Sequence, residues 1–180
     1  MAETARRISA LEGRAYQGPG IALNPAAPAS RLSLRAPEAS LAALSKALGL
    51  ILPRKPKTTA ESGKRAALWL GPDEWLLIDE GGADLTVLCA KASALHSAVD
   101  ISHRNTAILV AGEHTEDVLG AGCPQALSLA RFPIGAASRT VFGKAEVVLW
   151  RIAEDAFRIE CWRSFSYYVF SLLEKAAREV

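Results

Sequence analysis

The sequence has few of the residues that disulfide, zinc or nucleic-acid chemistry requires. It contains three cysteines and three histidines in 180 residues. Cys89, Cys123 and Cys161 are an odd number and have no Cys-x-x-Cys spacing, so the sequence predicts neither a disulfide framework nor a cysteine-rich zinc site. Its 21 basic side chains against 19 acidic ones leave an excess of only +2, which does not indicate a nucleic acid or an anionic membrane as partner.

Long apolar runs are also absent. None approaches the roughly 18 residues that a membrane-spanning helix needs. Arg6 and Arg7 are followed by no apolar stretch, so the N-terminus does not resemble a secretory signal. Half of the residues are apolar, which at this length suffices for a hydrophobic core. The sequence predicts a soluble cytoplasmic protein.

The motifs of common catalytic and cofactor sites are missing as well. There is no glycine-rich phosphate loop, no His-Glu-x-x-His pair and no Gly-x-Ser-x-Gly turn. Asp100, His103 and Cys123 are the residue types of a nucleophilic cysteine site, but the sequence does not show whether thiol and imidazole are within hydrogen-bonding distance. We favour loop capping for Asp100 and a surface or interface position for His103 and Arg104. No catalytic, cofactor-binding or metal-binding residue is predicted on this chain.

Glycine and proline set the first 29 residues apart from the remainder. Gly18, Pro19, Gly20, Pro25 and Pro28 interrupt any long regular element. We expect residues 1–29 to form an extended N-terminal arm. Two interpretations stay open, a disordered tail and a segment that lies along a partner.

From residue 30 onward, strands, hairpins and helices follow one another twice in the same order. Residues 37–49 have helical apolar spacing, and a hairpin follows with its turn at 71–74. A second hairpin turns at 154–155, and a long helix begins near Ser164. The pattern predicts one α+β domain, 30–180, of antiparallel sheets faced by helices. Its two pseudo-repeated halves would cover about 30–98 and 99–180.

Aromatic residues are concentrated near the C-terminus. On a helix with 100° per residue, Phe165 and Tyr168 share the core face, whereas Tyr167 and Phe170 lie on the outer face. Aromatics among charges on an outer face are typical of protein–protein contacts, although surface aromatics without a partner are an equally open interpretation. We predict a partner interface composed of Trp162, Tyr167, Phe170, His103 and Arg104.

Several segments together resemble a known family, and their combined order is more specific than any single one. The resemblance runs from about residue 65 to the C-terminus and is to the gamma subunits of heterotetrameric sarcosine oxidase. The segments are LWLGPDEWLL (68–77), VDISHRNTAILVAG (99–112), VLGAGCP (118–124), FPIG (132–135), SRTVFGKAEVVLWR (138–151) and FRIECWRSFSYYVFSLL (157–173).

The resemblance implies a function that the residues alone do not. It implies a duplicated fold similar to the folate-binding region of the glycine-cleavage aminomethyltransferase. It also implies a non-catalytic subunit of an enzyme that oxidatively demethylates sarcosine to glycine, with the one-carbon unit passed to tetrahydrofolate or released as formaldehyde. FAD, FMN, NAD, tetrahydrofolate and zinc would belong to the alpha, beta and delta subunits, and this chain would contact chiefly alpha.

The alternative is a folate-dependent one-carbon transferase that acts alone. Such an enzyme needs a carboxylate for the pterin ring and basic groups for the glutamate tail. Asp100 with Arg104 is the nearest candidate pair in this sequence. Because a shared fold does not carry function with it, this alternative is ranked second.

Overall fold

Two antiparallel sheets form the framework of the chain, which a computed structural model describes over residues 9–180. The five-stranded sheet has the order β4-β5-β6-β3-β7, and the six-stranded sheet has the order β1-β2-β8-β11-β10-β9. The strands are β1 (Tyr16–Gly18), β2 (Ile21–Pro25), β3 (Ser30–Arg35), β4 (Thr59–Ser62), β5 (Arg65–Gly71), β6 (Glu74–Asp79), β7 (Ser97–Asp100), β8 (Asn105–Ala111), β9 (Ala137–Phe142), β10 (Ala145–Ala153) and β11 (Ala156–Trp162).

Within residues 9–180, four α-helices cover the sheets. They are α1 (Leu41–Leu48), α2 (Leu85–Ala90), α3 (Thr115–Gly120) and α4 (Ser166–Ala177), with 3-10 turns at Glu38–Ser40 and Arg163–Phe165. The α+β class predicted from the sequence is confirmed.

The five-stranded sheet is buried under α1 and α2. Leu32 and Leu34 alternate along β3 and lie in one cluster with Leu44 and Leu48 of α1. The helix ends where Gly49 adopts a left-handed conformation at φ 69°, which glycine enters without steric cost. The apolar side chains that recur at helical spacing in α1 and alternate along β3 therefore pack together in one layer.

The six-stranded sheet has a separate core beneath α3 and α4. Phe157 of β11 stacks on Phe132 with ring centroids 5.8 Å apart. Val169, Phe170 and Leu173 of α4 are fully buried in the same cluster. Their spacing of one, then three residues gives this helix a continuous apolar stripe.

The N-terminal segment is not the extended arm that the sequence predicted. Residues 16–25 form β1 and β2, and β2 pairs with β8 in register from Ala22–Ala111 to Pro25–Ile108. Leu11 and Leu23 are fully buried. Strand pairing satisfies the backbone groups, and alternate apolar side chains complete the core. The prediction is therefore wrong for residues 9–29, and residues 1–8 lie outside the described part.

The two sheets face each other across a third apolar cluster. Leu68 and Ile78 of the five-stranded sheet contact Val148 and Trp150 of the six-stranded sheet. Strand β7 still belongs to the five-stranded sheet, and the six-stranded sheet takes up β1 and β2 from the N-terminus. The N-terminal strands β1 and β2 therefore lie in the same sheet as the strands after residue 99. The predicted halves, about 30–98 and 99–180, did not assign these two strands to either half.

Candidate partner-binding site

The end of β11 places two aromatic side chains side by side on the surface. Trp162, the last residue of β11, is paired with Asn105 of β8. The 3-10 turn Arg163–Phe165 then brings Phe165 back beside it, with ring centroids 6.1 Å apart. Trp162 is 41% exposed and Phe165 is 42% exposed. Half-exposed aromatics that contact each other are suited to a protein interface.

A cation completes this surface. The guanidinium carbon of Arg104 lies 5.1 Å from the Trp162 ring centroid. The backbone N–H of Arg163 donates to the Arg104 carbonyl at 2.7 Å, so the loop before β8 is tied to the end of β11. A cation over an exposed ring contributes roughly 0.5–1 kcal/mol. We call Arg104, Trp162 and Phe165 the Trp162 patch.

The loop that carries Arg104 is capped by Asp100. The Asp100 carboxylate accepts hydrogen bonds from the Ser102 hydroxyl and from the Ser102 N–H at 2.8 Å. The pKa of Asp100 is lowered, first by the hydroxyl bond and then by the backbone bond, with a smaller contribution from the charge of His103. His103 itself is exposed. The loop-capping role expected of Asp100 is what the structure shows.

Two of the predicted interface residues have different environments. Tyr167 is 57% exposed, but Phe170 is 0% exposed in the core of the six-stranded sheet. The Phe170 prediction is wrong because the side of α4 that packs against the sheet is the one that carries Val169, Phe170 and Leu173. Conversely, Phe165 and Tyr168, expected in the core, are half-exposed.

The structure does not assemble the cysteine site considered above. The Cys123 Sγ contacts the Thr140 hydroxyl at 3.9 Å, and the Asp100 carboxylate is bonded to Ser102. No hydrogen bond joins Asp100, His103 and Cys123 within residues 9–180. Burial raises the pKa of Cys161 to about 12, and the neighbouring Glu160 adds to this. All three thiols are buried and unlinked.

The Asp100–Arg104 pair proposed for folate does not form an ion pair in the described part of the chain. The Arg104 Nε donates to Asn105 Oδ1 at 3.3 Å, and its guanidinium covers Trp162. In the same residues, no group of three or more His, Cys, Asp or Glu could hold a metal ion. No helix there is both long and apolar enough to cross a membrane.

Sequence reasoning missed a buried charged network behind the Trp162 patch. Arg158 and Glu160 alternate along β11 with the core residues, so they point away from the helices and toward the five-stranded sheet. Glu160 accepts from Arg158 Nε at 2.8 Å and from Arg31 Nε at 2.6 Å. The Arg158 Nη1 also reaches Glu80 of the other half. An Arg-x-Glu pair inside a strand with two buried faces is the sequence signal that could have indicated this network.

A second ion cluster joins the two sheets where β6 begins and β3 ends. Glu74 of β6 accepts from Arg35 Nη2 at 2.9 Å and from Arg139 Nη1 at 3.2 Å. The pKa of Glu74 is lowered, chiefly by the hydrogen bond from Arg139. Apolar and ionic contacts therefore fix the relative position of the two sheets, and the Trp162 patch lies on the surface of this framework.

Comparison with known proteins identifies the family. A model described as the sarcosine oxidase, gamma subunit family matches residues 34–179. The chain belongs to this family. A sarcosine oxidase subunit gamma of Corynebacterium sp. strain P-1 is 31% identical over 156 residues, covering 84% of this chain and 77% of that protein. The subunit gamma of strain U-96 is 31% identical over 181 residues, covering 97% and 88%.

Solved structures agree with this assignment. The heterotetrameric sarcosine oxidase of Corynebacterium sp. U-96 includes a chain that aligns with a TM-score of 0.83 at 31% identity, covering 88% of this chain and 84% of that one. The glycine cleavage system aminomethyltransferase T of Bartonella henselae aligns with a TM-score of 0.67 at 15% identity, covering 86% and 45%. The second likeness shows a shared fold and no more, as expected from the resemblance.

Proposed function

We propose that this chain is the non-catalytic gamma subunit of a heterotetrameric sarcosine oxidase. In that assembly it contacts chiefly the alpha subunit, and the beta and delta subunits complete the complex. The enzyme demethylates sarcosine to glycine and passes the one-carbon unit to tetrahydrofolate or releases it as formaldehyde. FAD, FMN, NAD, tetrahydrofolate and zinc are bound by the other subunits, and the complex is cytoplasmic.

The observation that carries the proposal is the match to a chain of a solved heterotetramer over most of both chains. Curated gamma subunits agree with it over 77% and 88% of their own lengths. The geometry supports a binding role, because exposed aromatics lie beside a cation at the surface of the molecule.

The Trp162 patch is the contact surface we propose for alpha. Tryptophan side chains are rigid and lose little conformational entropy on binding, and both tryptophan and arginine are enriched among the residues that dominate measured interfaces. Arg104 and Arg163 give this surface a positive charge, which favours an acidic or aromatic region on alpha. Tyr167 belongs to the same proposal at its margin, since it is exposed on the helix that follows. Phe170 does not belong to it.

Co-expression with the three other subunits tests the proposal. The variant Arg104→Ala with Trp162→Ala should be retained less well on tagged alpha, with the complex weakened about 30-fold if the pair is a hot spot. Ile51→Ala is the matched control, because Ile51 is 79% exposed in a loop of the other sheet and should be retained like the unaltered chain. Both variants should keep their melting temperatures within a few degrees.

Distinct outcomes contradict distinct parts of the proposal. If the double variant co-purifies undiminished, the contact lies elsewhere on the chain. If the unaltered chain does not co-purify with the other subunits, the role as a gamma subunit is wrong. Micromolar binding of tetrahydrofolate to the isolated chain, measured by calorimetry, would instead support the transferase alternative.

A further inference from the structure

Strand β7 is an open edge of the five-stranded sheet. It pairs with β3 on one side, and among residues 9–180 no strand pairs with its other side. The Ile101 N–H donates to the Arg31 carbonyl at 2.9 Å, and opposite residues in an antiparallel ladder alternate between bonded and non-bonded pairs. Val99 therefore bonds to β3, whereas the N–H and C=O groups of Ala98 and Asp100 point outward from the edge.

This edge lacks the devices that shield many exposed strands. Proline, lysine, arginine or a bulge commonly protects an edge from pairing with another chain. Residues 97–100 have the sequence Ser-Ala-Val-Asp and pair with β3 without a break in register. Their one charged group, the Asp100 carboxylate, is bonded to Ser102. The outward backbone groups of β7 therefore remain available for strand addition.

Exposed apolar side chains lie beside these backbone groups. Val99 is 53% exposed, and Leu95, just before the strand, is 78% exposed. Segments that add to a sheet edge obtain affinity from main-chain hydrogen bonds and specificity from side-chain contacts with the edge. The edge of β7 offers both, which indicates an extended polypeptide as its occupant.

The same edge continues into the Trp162 patch. Val99 lies directly opposite Ser33 of β3, so both side chains project from the same face of the sheet. Ser33, Arg104 and Trp162 line one groove between the two sheets. Arg104 also follows β7 by only four residues. A segment that lies along β7 therefore reaches the surface that binds alpha in the proposed function.

We propose that an extended segment of the alpha subunit pairs with β7 as a sixth strand of this sheet. This inference rests on the proposed function. The backbone of the segment accepts from the N–H groups of Ala98 and Asp100 and donates to their carbonyls. An apolar side chain of the segment lies against Val99 on the side of Trp162. The backbone of β7 thus anchors the segment, and the Trp162 patch selects its side chains.

Hydrogen exchange of the chain alone and in the co-expressed complex tests the proposal. The amides of Ala98 and Asp100 should exchange at least about tenfold more slowly in the complex. Glu61 of β4 is the control at the opposite edge of the same sheet. Its N–H also points outward, because the bonded pair at Thr58 and Trp69 sets the alternation along β4. The exchange of the Glu61 amide should not change.

Proline variants at the two edges give an independent measurement. Ala98→Pro removes an outward N–H and leaves the Val99 N–H, which bonds to β3, in place, and a proline is tolerated where the N–H faces solvent. It should weaken retention on tagged alpha about tenfold. Glu61→Pro makes the same change at the opposite edge and should be retained like the unaltered chain.

The outcomes separate this inference from the proposed function. Unchanged exchange at residues 98 and 100 in a complex that forms would overturn strand addition and leave the gamma-subunit role intact. If the unaltered chain forms no complex, both are wrong. If the isolated chain sediments as a dimer that Ala98→Pro dissociates, the edge binds a second copy and the assignment to alpha is wrong. If Ala98→Pro does not fold, exchange of the unaltered chain decides.

Discussion

Replacing Phe170 with alanine tests which face of α4 is buried in the core. The ring is 0% exposed within the cluster of the six-stranded sheet, and the guanidinium carbon of Arg14 lies 5.1 Å from its centroid. Truncating a buried phenylalanine costs about 3–5 kcal/mol through lost transfer energy and the cavity left behind. Loss of the cation contact adds about 0.5–1 kcal/mol.

Tyr167→Ala is the matched variant, one turn away in the same helix. Its side chain is 57% exposed, so it should change the free energy of unfolding by less than about 1 kcal/mol. Urea unfolding of the isolated chain, followed by tryptophan fluorescence, measures the free energy of unfolding of both variants. For a chain of this length, Phe170→Ala should lower the melting temperature by roughly 6–20 °C.

The result can refute the burial argument directly. If Phe170→Ala unfolds within about 1 kcal/mol of the unaltered chain, the ring does not fill the core as described. If Tyr167→Ala is destabilised to the same extent, the two faces of α4 are not distinguished by burial. The N-terminal segment adds an independent check, because Tyr16 Oη donates to the Ala177 carbonyl at 3.2 Å and its removal should also destabilise α4.

Two further predictions concern protonation. The pKa of Glu74 is lowered from 4.5, first by its hydrogen bond from Arg139, so its stabilising effect is complete above that value and is lost as pH falls through the folded pKa. Glu74→Gln should therefore lower the free energy of unfolding by about 1 kcal/mol at pH 7 and leave it unchanged below the folded pKa. Urea titrations at several pH values measure this difference, and a difference that does not change with pH would contradict the ion-pair account. Burial raises the pKa of Cys161 to about 12 and that of Cys89 as well, so at pH 8 a thiol reagent should leave both unlabelled until urea is added, and rapid labelling of the native chain would contradict their burial.

Much of the fold could be predicted from local patterns. The turn at residues 71–74, the hairpin at 154–155 and the helix that ends before Gly49 each depend on neighbours within a few positions, since turn residues and apolar spacing act locally. The α+β class followed from the alternation of these elements. Trp162 and Arg104 were both named from the sequence, whereas the exposure of the neighbouring Phe165 and Phe170 was assigned to the wrong faces.

Other features depended on contacts between residues far apart in the chain. Residues 16–25 contain too few apolar side chains to predict strands. They form β1 and β2 because β2 pairs with β8 and Leu23 packs into the core of the six-stranded sheet. Which side of α4 faces the core depended on its packing against the six-stranded sheet, which buries Phe170 and leaves Tyr168 half-exposed.

The sequence alone determined the turns and most of the elements from residue 30 onward, the family resemblance and the residue types available for binding, because each of these is encoded by near neighbours or by motif order. Tertiary structure alone decided which face of α4 is buried and that Arg31 and Arg158 share Glu160. The physical reason is that burial and hydrogen-bond satisfaction are set by whichever distant surfaces meet when two sheets pack face to face.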